Sequence, residues 1–321
     1  MLIARDRPKL LSIVIPMYNE EEVFPLLKSE LTALKASLGC RVEIILVDDG
    51  STDATYQLIH EWALEDSSVK TIALSRNFGH QIAISAGMDA SSGDAVAIMD
   101  ADLQDPPSLV PNMIAGYCEG YEVVYGQRAE REGETWFKRA SASLFYKLMR
   151  RFVDKRLPAN TGDFRLVSRR VIEDLRRIRE HERFVRGLVA WVGHPQKALP
   201  YVRPARAAGE TKYPLIKMLR FAMNAILSFS ALPLKLIAYA GFLSIFISIG
   251  FILRTLYQYW FRSEALVVGW ASLSVLITFF SGVILLSLGV LGIYVAKIHV
   301  EVLGRPVYLV RHSTNFEKEP R

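Results

Sequence analysis

Hydrophobic positions along this chain fall into three patterns, each predicting a different kind of element. Short apolar runs bounded by turn residues recur at 11–15, 42–47, 69–74, 95–99 and 122–125; several are rich in Val and Ile, and they read as β-strands. Between the first two, Val23, Leu26, Leu27, Leu31, Leu34 and Leu38 recur at helical spacing and place apolar side chains on one face. Strand and helix go on alternating through 54–63 and 81–90. This alternation predicts an α/β domain with a largely parallel sheet, whose ligands gather at the carboxyl ends of its strands.

The second pattern is amphipathic and basic. Over 134–152, Phe137, Leu144, Phe145, Leu148, Met149 and Phe152 oppose Lys138, Arg139, Lys147, Arg150 and Arg151, which suits an anionic membrane surface. A similar stretch at 213–229 sets Lys217, Arg220 and Asn224 against an apolar face.

The third pattern is continuous apolarity. Residues 236–253 and 265–296 carry no charge, and each meets the roughly 18–20 residues needed to span a bilayer. Two buried core helices are the alternative. Lys and Arg crowd the outer flanks (Arg203, Arg206, Lys212, Lys217, Arg220 and Lys235; Lys297, Arg305 and Arg311), while the intervening loop holds only Arg254, Arg262 and Glu264. The positive-inside rule then predicts a multi-pass inner-membrane protein with both termini in the cytoplasm. The expected order is a cytosolic domain over 1–200, a juxtamembrane amphipathic segment over 201–230, two transmembrane helices over 231–300 and a cytosolic tail over 301–321.

Composition agrees with this division. The 321 residues are 51% hydrophobic and 22% charged, unusual for a wholly soluble enzyme unless the apolar residues are concentrated in one region. A net charge of +6 suits nucleic acid, anionic lipid or phosphorylated substrates without choosing among them. Cys40 and Cys118 form no metal-ligand or disulfide pattern, which fits a reducing compartment. The apolar run at 10–15 is too short, and too soon broken by Pro16, for a signal peptide.

Candidate chemistry lies where the strands end. Asp48-Asp49-Gly50-Ser51-Thr52-Asp53 follows the second strand; Ser51, Thr52 or Asp53 can cap the next helix, but capping does not explain two adjacent acids that can accept hydrogen bonds from a nucleobase or a ribose. Asp100-Ala101-Asp102-Leu103-Gln104 follows the fourth strand. Residues two apart in extended chain share a face, so Asp100 and Asp102 can hold one hard divalent cation, with Gln104 continuing that face. A solvated acidic turn is the plain alternative. Glu20, Glu21 and Glu22 suit either a ligand or a helix's first turn. Arg128 follows a strand, while Arg206 and Lys212 precede the membrane-entry segment, where a lipid phosphate must sit.

Ile15-Pro16-Met17-Tyr18-Asn19-Glu20, the two acidic motifs and Gly126-Gln127-Arg128 together resemble the family 2 glycosyltransferases of GT-A (Rossmann-like) fold. Asn160-Thr161-Gly162-Asp163-Phe164-Arg165, the segment from Arg206 to Tyr213 and two following spans are similar to polyprenyl-phosphate glycosyltransferases of the GtrB and dolichyl-phosphate mannose synthase type. The resemblance implies that Pro16, Tyr18, Glu20, Asp49 and, more weakly, Glu22 surround the nucleoside. It implies that Asp100, Asp102 and Gln104 hold the ribose and a diphosphate bound to Mg2+ or Mn2+, that Arg128, Arg206 and Lys212 meet phosphate, and that Asp163 and Asp102 are catalytic. The implied reaction is inverting transfer of a hexose, glucose from UDP-glucose, to undecaprenyl phosphate by a homo-oligomer, a tetramer as the family likeness suggests, with no nucleic-acid partner. Other donors (GDP-mannose, UDP-GlcNAc, a UDP-aminoarabinose type), a processive polysaccharide synthase and a non-catalytic nucleotide-sugar-binding protein are the rivals. The chain lacks the Gln-x-x-Arg-Trp pattern that processive synthases resemble. His80 is expected to be structural or to help shape the nucleotide pocket.

Overall fold

A computed structural model describes residues 2–128, 161–181, 183–202, 232–261 and 269–317. The amphipathic stretches at 134–152 and 213–229, together with Asn160, Arg206 and Lys212, lie outside the described residues.

The chain forms β1 (Leu10–Met17), α1 (Phe24–Ser37), β2 (Arg41–Asp48), α2 (Thr55–Glu65), β3 (Val69–Leu74), α3 (His80–Ala90), β4 (Ala95–Ile98), α4 (Val110–Cys118), β5 (Val123–Arg128), β6 (Thr161–Ser168), α5 (Arg169–Arg177), α6 (Val185–Val192), β7 (Gln196–Tyr201), α7 (Leu232–Phe261), α8 (Trp270–Val302) and β8 (Val310–Thr314). β1 and β2 are buried on both faces, which is why they read as unbroken apolar runs rather than alternating ones. α1 turns Phe24, Leu27, Leu31 and Leu34 inward, with Pro25 in its first turn, where no amide hydrogen is needed.

The strands form one sheet of order β7-β5-β6-β4-β1-β2-β3-β8. It is mixed rather than largely parallel: β6 runs antiparallel between β4 and β5, and β8 runs antiparallel to β3. From β1 the chain steps outward through β2 and β3, then returns to lay β4 on the other side of β1. The carboxyl ends of β1 and β4 therefore flank a topological switch point, where open α/β sheets leave a crevice for ligand. Because β6 is antiparallel to β4, its amino-terminal end reaches the same crevice. Ile98 pairs with Arg165, so continuing the register by two residues sets Asp100 opposite Asp163.

The chain divides into two compact units, residues 1–215 with 306–321, and residues 216–305. The stretch expected as a tail thus belongs to the first unit, where β8 covers the edge of β3. Tyr308 is buried, with its hydroxyl donating to Asp89 at 3.0 Å, and Asn315 donates to the carbonyls of Ala63 and Val69. The second unit contains α7, which includes the expected span 236–253, and α8. The segment of α8 apolar and long enough to cross a membrane is Phe279–Val302, shifted toward the carboxyl end from the expected 265–296. Among the described residues it alone meets that test.

Candidate active site

The loops that leave β1 and β2 are tied together. Asn19 adopts φ +54°, which asparagine tolerates better than most residues, and its amide oxygen accepts from Thr52 N at 2.9 Å. Glu20 N donates to Thr55 Oγ1, and Glu21 exchanges bonds with the other loop: its carboxylate accepts from Ala54 N and its amide donates to Asp53. α2 has no side-chain cap from Ser51 or Thr52; Asp53 accepts from Thr55 N instead. Tyr18 is 45% exposed at the mouth, Glu22 is exposed just before α1, and Pro16 is buried within β1.

Asp49 is buried and uses both carboxylate oxygens inside the protein, accepting from Phe78 N at 2.7 Å and Gly79 N at 2.9 Å. Burial pushes its pKa up despite these bonds. Its structural work is to hold the 76–79 loop that delivers α3 to the crevice. Gly50 is required beside it. A Cβ there would lie 2.6 Å from the carbonyl carbon of Arg76 and 2.7 Å from Asn77 N, and φ is +71°.

Asp100 follows β4 at the switch point. Burial, together with the charges of Asp105, Asp163 and Asp102, pushes its carboxyl up to about 6, with His80 opposing the shift. Its Oδ1 is buried without a hydrogen-bond donor, and His80 Nε2 lies 3.4 Å away. Asp102 Oδ1 accepts from Gln104 N at 3.1 Å, and Leu103 between them has φ +54°, a conformation that costs a leucine about 1–3 kcal/mol. Gln104 is buried. A crowded carboxylate with an undonated oxygen fits a divalent cation. Among the described residues no group of three His, Cys, Asp or Glu side chains is placed to hold a metal ion.

Asp163, at the start of β6, is 5% exposed. Its Oδ2 accepts from Gln81 Nε2 at 2.9 Å, and His80 Nε2 is 3.4 Å from the same oxygen. Arg186 Nε lies 3.0 Å from Oδ1, an ion-pair contact off the hydrogen-bond direction that leaves Oδ1 without an aligned donor. Burial opposes ionisation here, but Arg186, His80 and Arg165 outweigh it and hold the carboxyl well below the usual carboxylate range. Arg165 does not form the side-chain salt bridge that its position two residues away suggests; its guanidinium donates to the carbonyls of Gly162 and Asp163.

Arg128 comes from β5 to the same stretch. Its Nε donates to Tyr201 Oη at 3.5 Å, Nη2 lies 4.0 Å from Asp105, and the Tyr201 hydroxyl donates to the fully buried Asp105. Gly162 makes room for this cation, since a Cβ there would lie 2.6 Å from Arg128 Nη2. The structure thus brings Asp100, Asp163 and His80 to one point of the crevice, with Arg128 beside Gly162. Sequence reading missed Gln81 and Arg186. Gln81 sits beside His80, but nothing in a sequence separates Arg186 from the other arginines of 165–186.

The crevice at the switch point, the acidic motif beyond β4 and the opposed buried aspartate form a candidate ligand site. The description "Glycosyl transferase family 2" matches residues 12–176, and the chain belongs to that family and is a glycosyltransferase. It is 46% identical to the uncharacterized glycosyltransferase YkcC of Bacillus subtilis, over 96% of this chain and 95% of that protein. It is 37% identical to the SfII prophage-derived bactoprenol glucosyl transferase of Shigella flexneri, over 94% and 98%. Among solved structures, the mannosyltransferase PcManGT from Pyrobaculum calidifontis, in complex with GDP-Man and Mn2+, gives a TM-score of 0.46 at 16% identity over 89% of each chain.

Proposed function

We propose that this enzyme, as a GT-A glycosyltransferase, moves glucose from UDP-glucose to undecaprenyl phosphate at the cytosolic face of the inner membrane, with inversion at the anomeric carbon. The observation that carries the proposal is the full-length likeness to a bactoprenol glucosyl transferase, combined with a site in which Asp100 and Asp163 converge at the switch point. A phosphate oxygen of the lipid attacks the anomeric carbon; the bond from that carbon to the diphosphate breaks, and UDP leaves with the electron pair. A phosphate monoester is largely dianionic at neutral pH, its second pKa being about 6, so the nucleophile arrives ionised.

Asp163 is an orienting carboxylate in this reading, because a group held so far below the usual range is a weak base. Asp100 and Asp102, with Gln104 beside them, hold Mg2+ or Mn2+, which supplies charge neutralisation for the departing diphosphate. Tyr18 and Glu20, with Glu22 at the rim, border the nucleoside; Pro16 and Asp49 shape its floor. Arg128, and beyond the described residues Arg206 and Lys212, meet phosphate.

Membrane crossing is supported by the apolar helix Phe279–Val302, and the path of the chain bears on how many times it crosses. It leaves the catalytic unit at 215 and rejoins it at 306, and β8 is bonded into the same sheet, so the intervening segment crosses an even number of times. Phe279–Val302 is one apolar span. α7, with 30 residues and a length of about 45 Å, is long enough to be the other.

Purified enzyme with Mg2+, a panel of labelled nucleotide sugars and undecaprenyl phosphate tests this reading. Organic-extractable label from UDP-glucose is the expected product. Label from another donor corrects the sugar, and label in polymer identifies a processive synthase.

A further inference from the structure

Asp163 receives one aligned hydrogen bond from a side chain among the described residues, and it comes from Gln81. The other end of that amide is also committed, since Gln81 Oε1 accepts from Val185 N, the first amide of α6, at 2.9 Å. These two bonds fix which way the amide faces: the oxygen must meet Val185, so the NH2 group must meet Asp163. Gln81 joins the start of α3, the start of α6 and the start of β6, and the residue after Val185 is Arg186, whose guanidinium faces the second oxygen of Asp163 and donates to the Thr161 carbonyl. The Gln81 amide thus supplies the aligned hydrogen bond to Asp163 Oδ2, while His80 and Arg186 face the carboxylate at 3.4 Å and 3.0 Å and Oδ1 has no aligned donor.

We propose that Gln81 is the positioning residue for Asp163, donating the hydrogen bond that orients this carboxylate for sugar transfer. The inference rests on the proposed role of Asp163 at the reacting centre but not on the identity of the acceptor. Gln81→Glu separates this role from a merely structural one. A glutamate keeps an oxygen to accept from Val185 N, so α6 stays tied, but it presents a carboxylate to Asp163 where an NH2 group belongs. Only the protonated acid restores a donor; the Asp163 charge beside it favours that form, and His80 and Arg186, which face the same carboxylate, oppose it. Gln81→Met removes both bonds and adds no charge.

The experiment follows nucleoside diphosphate release by purified full-length protein with Mg2+ and undecaprenyl phosphate, as kcat and donor KM from about pH 6 to about pH 8, with thermal unfolding of each variant as a check on folding. For Gln81→Glu, kcat is expected to fall about 10–100-fold near pH 8 with donor KM nearly unchanged, and its activity relative to wild type to rise as pH falls. Gln81→Met is expected to lose kcat to a similar degree with no such recovery. Folded variants that keep wild-type kcat, or a Gln81→Glu ratio flat across this range, overturn the proposal. If wild type releases nucleoside diphosphate without forming lipid-soluble product, the acceptor assignment fails and the Gln81 comparison still stands.

Discussion

Asp100 shows the site's electrostatics at the residue scale. Its carboxyl is raised above the unfolded value, so its contribution to stability is full below pH about 4 and is lost as pH rises through about 6. In cation-free protein near neutral pH, Asp100→Asn is therefore expected to be more stable to unfolding than wild type, by up to about 3 kcal/mol, with the difference disappearing in acid. Adding Mg2+ or Mn2+ should stabilise wild type more than the variant, and calorimetry across pH reads both effects. Gly162 gives a second prediction. An alanine there meets only the end of the flexible Arg128 side chain, so Gly162→Ala should keep its stability within about 1 kcal/mol yet lose about tenfold in kcat through a displaced cation. Wild-type turnover in that variant would remove Arg128 from the site.

At the element scale, the crevice is built by loops that strands deliver in register. Gly50→Ala drives a Cβ into the backbone of residues 76–77, which cannot yield as a side chain can, so it should cost about 2 kcal/mol or more in urea unfolding and disturb α3. The five strands and three helices read from apolar spacing in the first 125 residues all exist, because there each periodic run is also a buried face. β6, β7 and β8 were not legible. β6 is buried along its whole length yet contains Asp163 and Arg165, whose burial depends on partners contributed by other elements and on carbonyls at the strand's own start. β8 reads as Val-Arg-His-Ser-Thr, a polar edge strand with no apolar period of its own. Asp100 and Asp102 could be picked out as an Asp-x-Asp beyond a strand only because the neighbouring motifs set it apart from a solvated turn, and Asp163 only through the family resemblance, whereas Gln81 acts through the orientation of one amide, which no spacing reveals.

For the whole molecule, β8 closes the β3 edge of the sheet with a stretch that follows α8 in the chain. Removing residues 306–321 would bare the β3 edge and delete the buried Tyr308–Asp89 bond, so the truncated enzyme should aggregate or lose β3 protection in hydrogen exchange. Tyr308→Phe alone should cost about 1 kcal/mol. The proposed even number of crossings predicts that tags at the amino and carboxyl ends are reached by protease from the same side of sealed vesicles. A tag protected at one end only would contradict that topology.

The central claim is that Asp102 and Asp163 serve one transfer of sugar to lipid phosphate, and a single-turnover assay with labelled UDP-glucose, Mn2+ and undecaprenyl phosphate tests it most directly. Wild type should form organic-extractable label, while correctly inserted Asp102→Ala and Asp163→Asn proteins each lose about a hundredfold or more in rate. Wild-type rates in either variant would contradict the account.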